Sequence, residues 1–114
     1  MIFVIEDDPM MAECIARASK AEHQIFDNAI DAISALGEDL PDLIFLDILL
    51  SGPDGFTFLN ELASYSDTAK IPVVIISSLD FSHRDLSDYG VVGALNKDNM
   101  LPQEIRDYVC RYSH

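Results

Sequence analysis

The chain is poor in basic residues. Seven lysines and arginines face 20 acids, for a formal net charge of −13. Phosphate binding needs a basic face, so a direct nucleic-acid partner is excluded, and an anionic membrane surface with it. No apolar run is long enough to span a bilayer, and the N-terminus lacks the basic stretch of a secretory signal. Cysteine is scarce too. Cys14 and Cys110 cannot make a disulfide framework and read as buried free thiols in a reducing cytoplasm. No CxxC pair exists and His23, His83 and His114 are scattered, which argues against zinc. Repeats, low-complexity segments and linkers are absent.

What is present is apolar and ordered. At 114 residues, 49% of them hydrophobic, the chain suits one domain spanning 1–114 with a true core. Met1-Ile2-Phe3-Val4-Ile5, Leu43-Ile44-Phe45-Leu46 and Val73-Val74-Ile75-Ile76 are unbroken apolar runs, as expected of parallel strands covered on both faces. Gln24-Ile25-Phe26 and Val91-Val92-Gly93-Ala94-Leu95 are weaker strands. Between them lie helical stripes: Met11, Cys14, Ile15 and Ala18; Ala29, Ile30, Ile33 and Leu36; Phe56, Leu59, Leu62 and Ala63. The last stripe is Leu101, Ile105, Tyr108, Val109 and Tyr112. Asp80 to Tyr89 has helical length but is mostly polar. Asp8-Pro9 reads as an N-cap followed by proline at the first helical position, Asp54 as a second cap, and Asp98 or Asn99 as the cap of the last helix, with Pro102 in its first turn.

Strand and helix therefore alternate five times. This predicts an α/β fold, a three-layer flavodoxin-like (βα)5 domain with a five-stranded parallel sheet in the order 2-1-3-4-5. Ligands of such sheets bind beyond the carboxyl ends of strands 1 and 3. Strand 1 closes on Glu6-Asp7-Asp8 and strand 3 on Asp47. If the strands are neighbours, Glu6 or Asp7 meets Asp47 in one crevice. Crowded carboxylates repel, and a cluster of hard oxygen donors suits Mg²⁺. Strand 4 ends in Ser77-Ser78 and strand 5 in Asn96-Lys97. A carboxylate can attack phosphorus and form an acyl phosphate, a transfer that depends on positioning and charge neutralisation. Mg²⁺ would bridge acids and phosphoryl oxygens, Lys97 would pair with a further oxygen or with Asp47, and Ser77 would donate a hydrogen bond.

VIEDDP, PDLIFLDILLSGPDG, IPVVIISS and GALNKD, in this order and each on a strand-like run, resemble the receiver domain of bacterial two-component response regulators over essentially the whole chain. The resemblance implies that Asp47 is the phosphoacceptor, that Asp7 ligates Mg²⁺ directly and Glu6 through water, and that the backbone carbonyl of Leu49 is a further ligand. It makes Ser77 the switch hydroxyl and Lys97 the lysine of the family pattern. A sensor histidine kinase or histidine phosphotransfer protein would donate the phosphoryl group. The surface around the fourth helix, fifth strand and fifth helix would then change, with an unnamed downstream protein or a phosphorylation-dependent dimer as the readout. A cytoplasmic regulator rather than an enzyme is implied.

Departures from the pattern are Ser51 in place of proline four residues after the acceptor, Asp98 in place of proline after the lysine, and Ala94 where a switch aromatic often sits. In the family that the chain resembles, the side chains two residues after the acceptor and two after the switch hydroxyl flank the path of attacking water, and here these positions are Leu49 and Leu79. A flavin or dinucleotide binder is opposed by Glu6-Asp7-Asp8, which repels phosphate. A Mg²⁺-dependent aspartyl phosphohydrolase usually has a second acid two residues past the nucleophile, where this chain has Leu49. A degenerate receiver acting only as a docking module is the remaining alternative, opposed by the intact acid set.

Overall fold

The structure, a computed structural model, describes residues 1–49, 55–78 and 87–113. Within these, five strands form one parallel sheet: β1 (Ile2–Ile5), β2 (His23–Phe26), β3 (Leu43–Asp47), β4 (Val73–Ser77) and β5 (Val91–Asn96), ordered β2-β1-β3-β4-β5. Helices α1 (Pro9–Ser19), α2 (Ala29–Leu36), α3 (Gly55–Ala63) and α4 (Pro102–Tyr112) cover both faces. No cis peptide bond occurs among the described residues. The expected helix over Asp80 to Tyr89 lies largely outside the described residues, and its last three, Ser87–Tyr89, form a 3₁₀ turn. The expected cap Asp54 and the departure at Ser51 also lie outside them.

Strand alternation divides the core in two. Phe3, Ile5, Ile44, Leu46, Val73 and Ile75 pack under α2 and α3. Ile2, Val4, Phe45, Val74, Ile76 and Leu95 pack under α1 and α4. All residues of β1, β3 and β4 are buried, because central parallel strands lie between two helical layers. The edge strand β2 is largely exposed. β5 carries an irregularity against β4, where Val73 pairs with Val91 but Val74 pairs with Gly93. The half-buried Tyr108 phenol of α4 lies over Gly93, in space a side chain there would fill, and burial raises its pKa.

Three local expectations need correction. Cys14 and Cys110 are exposed, not buried. The buried face of α1 is Ala12, Ile15, Ala16 and Ser19, one position round from the expected stripe. Small residues let the helix approach the sheet closely, so side-chain hydrophobicity misreads its rotation. In the other helices Ile30, Ala63 and Leu101 are exposed, and the buried positions are Ala29 and Ala32, Phe58, Leu59 and Leu62, and Ile105 and Val109. The last helix begins at Pro102 rather than after Asp98 or Asn99. Asn96 claims that segment instead: its Oδ1 accepts from Asp98 N–H at 2.8 Å and its carbonyl from Met100 N–H at 2.8 Å. Glu104 Oε1 then accepts from Leu101 N–H at 2.8 Å and closes the helix start.

Gly55 holds α3 against the end of β3. Its N–H donates to the carbonyl of Ile48 at 3.0 Å. A Cβ there would sit 2.6 Å from Ile48 Cα and 3.0 Å from the Asp47 carbonyl oxygen, both backbone atoms. Gly55→Ala should therefore cost about 2 kcal/mol, within the range of overpacking. Urea unfolding of the variant beside the wild type measures it, and equal midpoints would contradict the contact.

Candidate functional site

The register builds the site. Ile5 pairs with Leu46, so Glu6 and Asp47 leave adjacent strands at one level. Continuing each strand's alternation, Glu6 follows Val4, Asp47 follows Phe45 and Lys97 follows Leu95, all toward the α1/α4 face. Glu6 N–H donates to the Phe26 carbonyl at 2.9 Å, extending β1 by one bond. Lys97 N–H donates to the Ser77 carbonyl at 3.0 Å and ties the ends of β4 and β5.

The side chains meet. Lys97 Nζ lies 3.0 and 2.9 Å from Glu6 Oε1 and Oε2 and 3.2 Å from Asp47 Oδ2. Glu6 and Asp47 are 1% and 3% exposed. Carboxylate oxygens of Glu6, Asp7 and Asp47 lie within 4.8 Å of one another. Leu49 N–H donates to Asp47 Oδ1 at 3.0 Å, so the acid is held at both oxygens. Asp8 N–H donates to Glu6 Oε1 at 3.2 Å, while the Asp8 carboxylate caps α1 by accepting from Met10 N–H at 3.0 Å. Asp8 thus serves the helix, as its place before Pro9 predicts.

Burial pushes the Glu6 carboxyl up to about 7, with Asp47 adding to the rise and Lys97 and the Asp8 N–H opposing it. Burial also works against the Lys97 ammonium, but its hydrogen bonds to Glu6 and Asp47 outweigh this and raise its pKa. The two buried acids Glu6 and Asp47 share the Lys97 ammonium, with Asp7 beside them. Glu6 Oε2 is buried and makes no well-directed hydrogen bond, although it feels the ammonium at 2.9 Å. Buried acceptors left in this way are uncommon. Three carboxylates whose oxygens converge in this way fit a hard divalent cation such as Mg²⁺.

The other expected residues take these places. Ser77 is buried at the end of β4, one residue past Ile76, which pairs with Asp47. By alternation it follows Ile75 toward the α2/α3 face. Leu49 is exposed just beyond β3, and Ala94 is exposed on β5. Leu79 lies outside the described residues. The grip of Lys97 on Glu6 was not expected from sequence. The two are 91 residues apart, and only the sheet order brings them together.

A flavodoxin-like sheet with an acid–lysine cluster at its switch point is the class that fold and site define. Within that class the chain belongs to the response regulator receiver domain family, whose model matches residues 2–109. It is similar to the response regulator PleD of Caulobacter vibrioides, 37% identical over 82 residues, which are 69% of this chain and 18% of PleD. The chain thus spans only a small part of that relative's length. Protein PilH of Pseudomonas aeruginosa is 29% identical over 82 residues, covering 69% of this chain and 68% of PilH. Among solved structures, the phosphorylated cyanobacterial phytochrome response regulator RcpA superposes with a TM-score of 0.82 at 25% identity, over 97% of this chain and 91% of that one. The receiver domain of the sensor histidine kinase PA1611 from Pseudomonas aeruginosa PAO1, with magnesium coordinated in its active-site cleft, shares the fold. Its TM-score is 0.80 at 19% identity, over 97% of this chain and 94% of that one. No helix among the described residues is long and apolar enough to cross a membrane.

Proposed function

We propose that residues 1–114 are one receiver domain and that Asp47 accepts a phosphoryl group from a phosphohistidine on a histidine kinase or phosphotransfer protein in the cytoplasm. The observation that carries this reading is the buried Asp47 carboxylate, fixed by Leu49 N–H and Lys97 Nζ beside Glu6 and Asp7. Asp47 attacks phosphorus, an Oδ–P bond forms, and the N–P bond of the donor breaks. The departing imidazole keeps the bonding pair and ends neutral because its other ring nitrogen carries a proton. Fixing the plane of the carboxylate lowers the entropic part of the barrier. Lys97 would follow the negative charge as it spreads onto the phosphoryl oxygens. Ser77 would donate a hydrogen bond to one of them, the local change that shifts the partner surface.

Bound Mg²⁺ supplies charge neutralisation between acids and phosphoryl oxygens, and Asp7, Asp47, Glu6 through water and the Leu49 carbonyl would hold it. PA1611, which carries magnesium in its cleft, and a Mn²⁺-bound form of response regulator Rcp1 support the choice of a divalent ion. The chain is a regulator that is phosphorylated and not a turnover phosphohydrolase, because Leu49 stands where a second acid would be needed. Incubation with acetyl phosphate and Mg²⁺, followed by intact mass, tests the reading. One added phosphoryl group is expected, lost when EDTA replaces Mg²⁺. Unchanged mass would leave the docking-only alternative standing.

Two predictions belong to this reading. Mg²⁺ should bind weakly, because few protein ligands hold it, and Asp7→Ala should remove most of that binding. The thermal stabilisation given by a Mg²⁺ titration measures it directly. Equal stabilisation of both proteins would refute the ligand. The phosphorylated state should also be long-lived. Leu49 is apolar, cannot orient water, and stands beside the acceptor. Leu49→Asn should speed loss of the phosphoryl group roughly tenfold, less than the about 10²–10⁴-fold of a full general base because an amide only orients the water. An unchanged half-life by intact mass would show that this side chain does not set it.

A further inference from the structure

Away from Asp47, α2 and α3 enclose a groove of about 270 Å³ lined by Ile33, Leu36, Glu61, Tyr65, Asp67 and Thr68. It lies toward the C-terminal ends of both helices. These run back from the site, so the groove sits toward the far end of the sheet from the acid cluster. α2 is more apolar than it can bury. Six of its eight residues are apolar, yet only Ala29 and Ala32 are fully buried. Ile30, one turn before Ile33 on the same ridge, is 58% exposed, and Tyr65 is 57% exposed. A helix apolar nearly all round is normally covered.

The electrostatics choose the cover. Between residues 21 and 78 the sequence carries ten acids and one basic residue, Lys70. Glu61 and Asp67 line the groove, and Asp31, Glu38 and Asp39 are exposed on α2 and the turn after it. Neither α2 nor α3 has a basic residue in its last turn, so the negative ends of two helix dipoles are uncompensated there. The cations lie elsewhere: Arg17 and Lys20 end α1, and Arg106 and Arg111 belong to α4. A second copy docking through this same face would bring the same acids to it and be repelled. Nucleic acid and anionic lipid are repelled likewise. At about 270 Å³ the groove lies at the lower limit of the roughly 300–1,000 Å³ of small-molecule sites, a size that suits side-chain anchors.

We infer that this groove docks a basic amphipathic helix of a partner protein, with large apolar anchors one turn apart on one side and lysine or arginine on the other. Helix-in-groove recognition uses this pattern. The surface is separate from Asp47, so docking does not depend on phosphorylation.

The test uses the full chain, ¹⁵N-labelled, and three synthetic helical peptides. One has leucines one turn apart and lysines elsewhere, one replaces the lysines with glutamate, and one replaces the leucines with serine. Backbone shift changes with the first peptide should concentrate on 30–37 and 61–68 and weaken as salt rises. Both control peptides should bind at least about fivefold more weakly, as should the Ile30→Gln/Tyr65→Gln and Glu61→Lys proteins, the scale of losing a central anchor. Both substituted faces are exposed, and amide spectra report whether the variants keep the fold. Asp47→Asn should bind the first peptide like the wild type, so failure of phosphorylation leaves this result readable. Shifts spread over the acidic surface, or equal binding of the serine peptide, would reduce the face to unspecific charge and overturn the proposal. No binding overturns it as well. So do shifts in the same residues on raising protein concentration without peptide, which would assign the face to a second copy.

Discussion

Asp47→Asn is expected to take up no phosphoryl group from acetyl phosphate in the presence of Mg²⁺, where the wild type takes up one. Asp47 has Leu49 N–H at 3.0 Å on one oxygen and Lys97 at 3.2 Å on the other, at the end of a central strand. Glu6 is committed to Lys97 and Asp8, and its carboxyl is pushed up to about 7, which weakens it as a nucleophile near neutrality. Asparagine keeps the shape and can accept from only one of the two donors, because its NH2 cannot accept, and it removes the negative charge and most of the nucleophilicity. The fold should persist, since the substitution also relieves repulsion among the crowded acids. Intact mass and urea unfolding of the same sample separate lost chemistry from lost structure. A variant that is labelled as fully as the wild type would move the acceptor elsewhere.

Lys97→Ala should lower both stability and labelling rate. The ammonium neutralises two carboxylates that are almost wholly buried, and breaking a buried ion pair by removing one partner typically costs 3–5 kcal/mol. Glu6 escapes part of that penalty by taking a proton, so a loss of about 2–3 kcal/mol is expected. Ordinary domains are stable by roughly 5–15 kcal/mol, so the variant should still fold. Adding Glu6→Gln should restore much of the loss, because it removes one of the orphaned charges. The labelling rate should fall about a hundredfold, the scale of losing one preorganised charge-stabilising group, and Glu6→Gln should not restore it. Urea unfolding and initial labelling rates of the single and double variants decide the matter. Wild-type stability with wild-type labelling would contradict the role given to Lys97.

The sequence was most legible where burial leaves one solution. β1, β3 and β4 lie between two helical layers and advertise it as unbroken apolar runs, and their ends marked Glu6, Asp7 and Asp47 before any geometry was available. Asp8-Pro9 foretold the start of α1 because an acceptor followed by a fixed φ has few other uses there. Legibility failed where several local solutions compete. Asn96 took the turn that Asp98 or Asn99 had been expected to begin. The rotation of α1 was hidden because Ala12, Ala16 and Ser19 pack by being small, which left Cys14 facing solvent. The pairing of Lys97 with Glu6 was hidden by distance in the chain. Once the β2-β1-β3-β4-β5 order is fixed, alternation alone puts Glu6, Asp47 and Lys97 on one face. The excess of apolar residues on α2 was readable, but that it remains uncovered was not.

The most direct test of the central claim is reductive trapping. The protein is incubated with acetyl phosphate and Mg²⁺ and treated with borohydride, which reduces an acyl phosphate to the alcohol. It is then digested and sequenced by mass spectrometry. An aspartyl phosphate at residue 47 predicts homoserine at that position and unmodified Glu6 and Asp7. Homoserine or its longer homologue at another acid, or none anywhere despite a mass gain, would contradict the assignment of Asp47 as the acceptor.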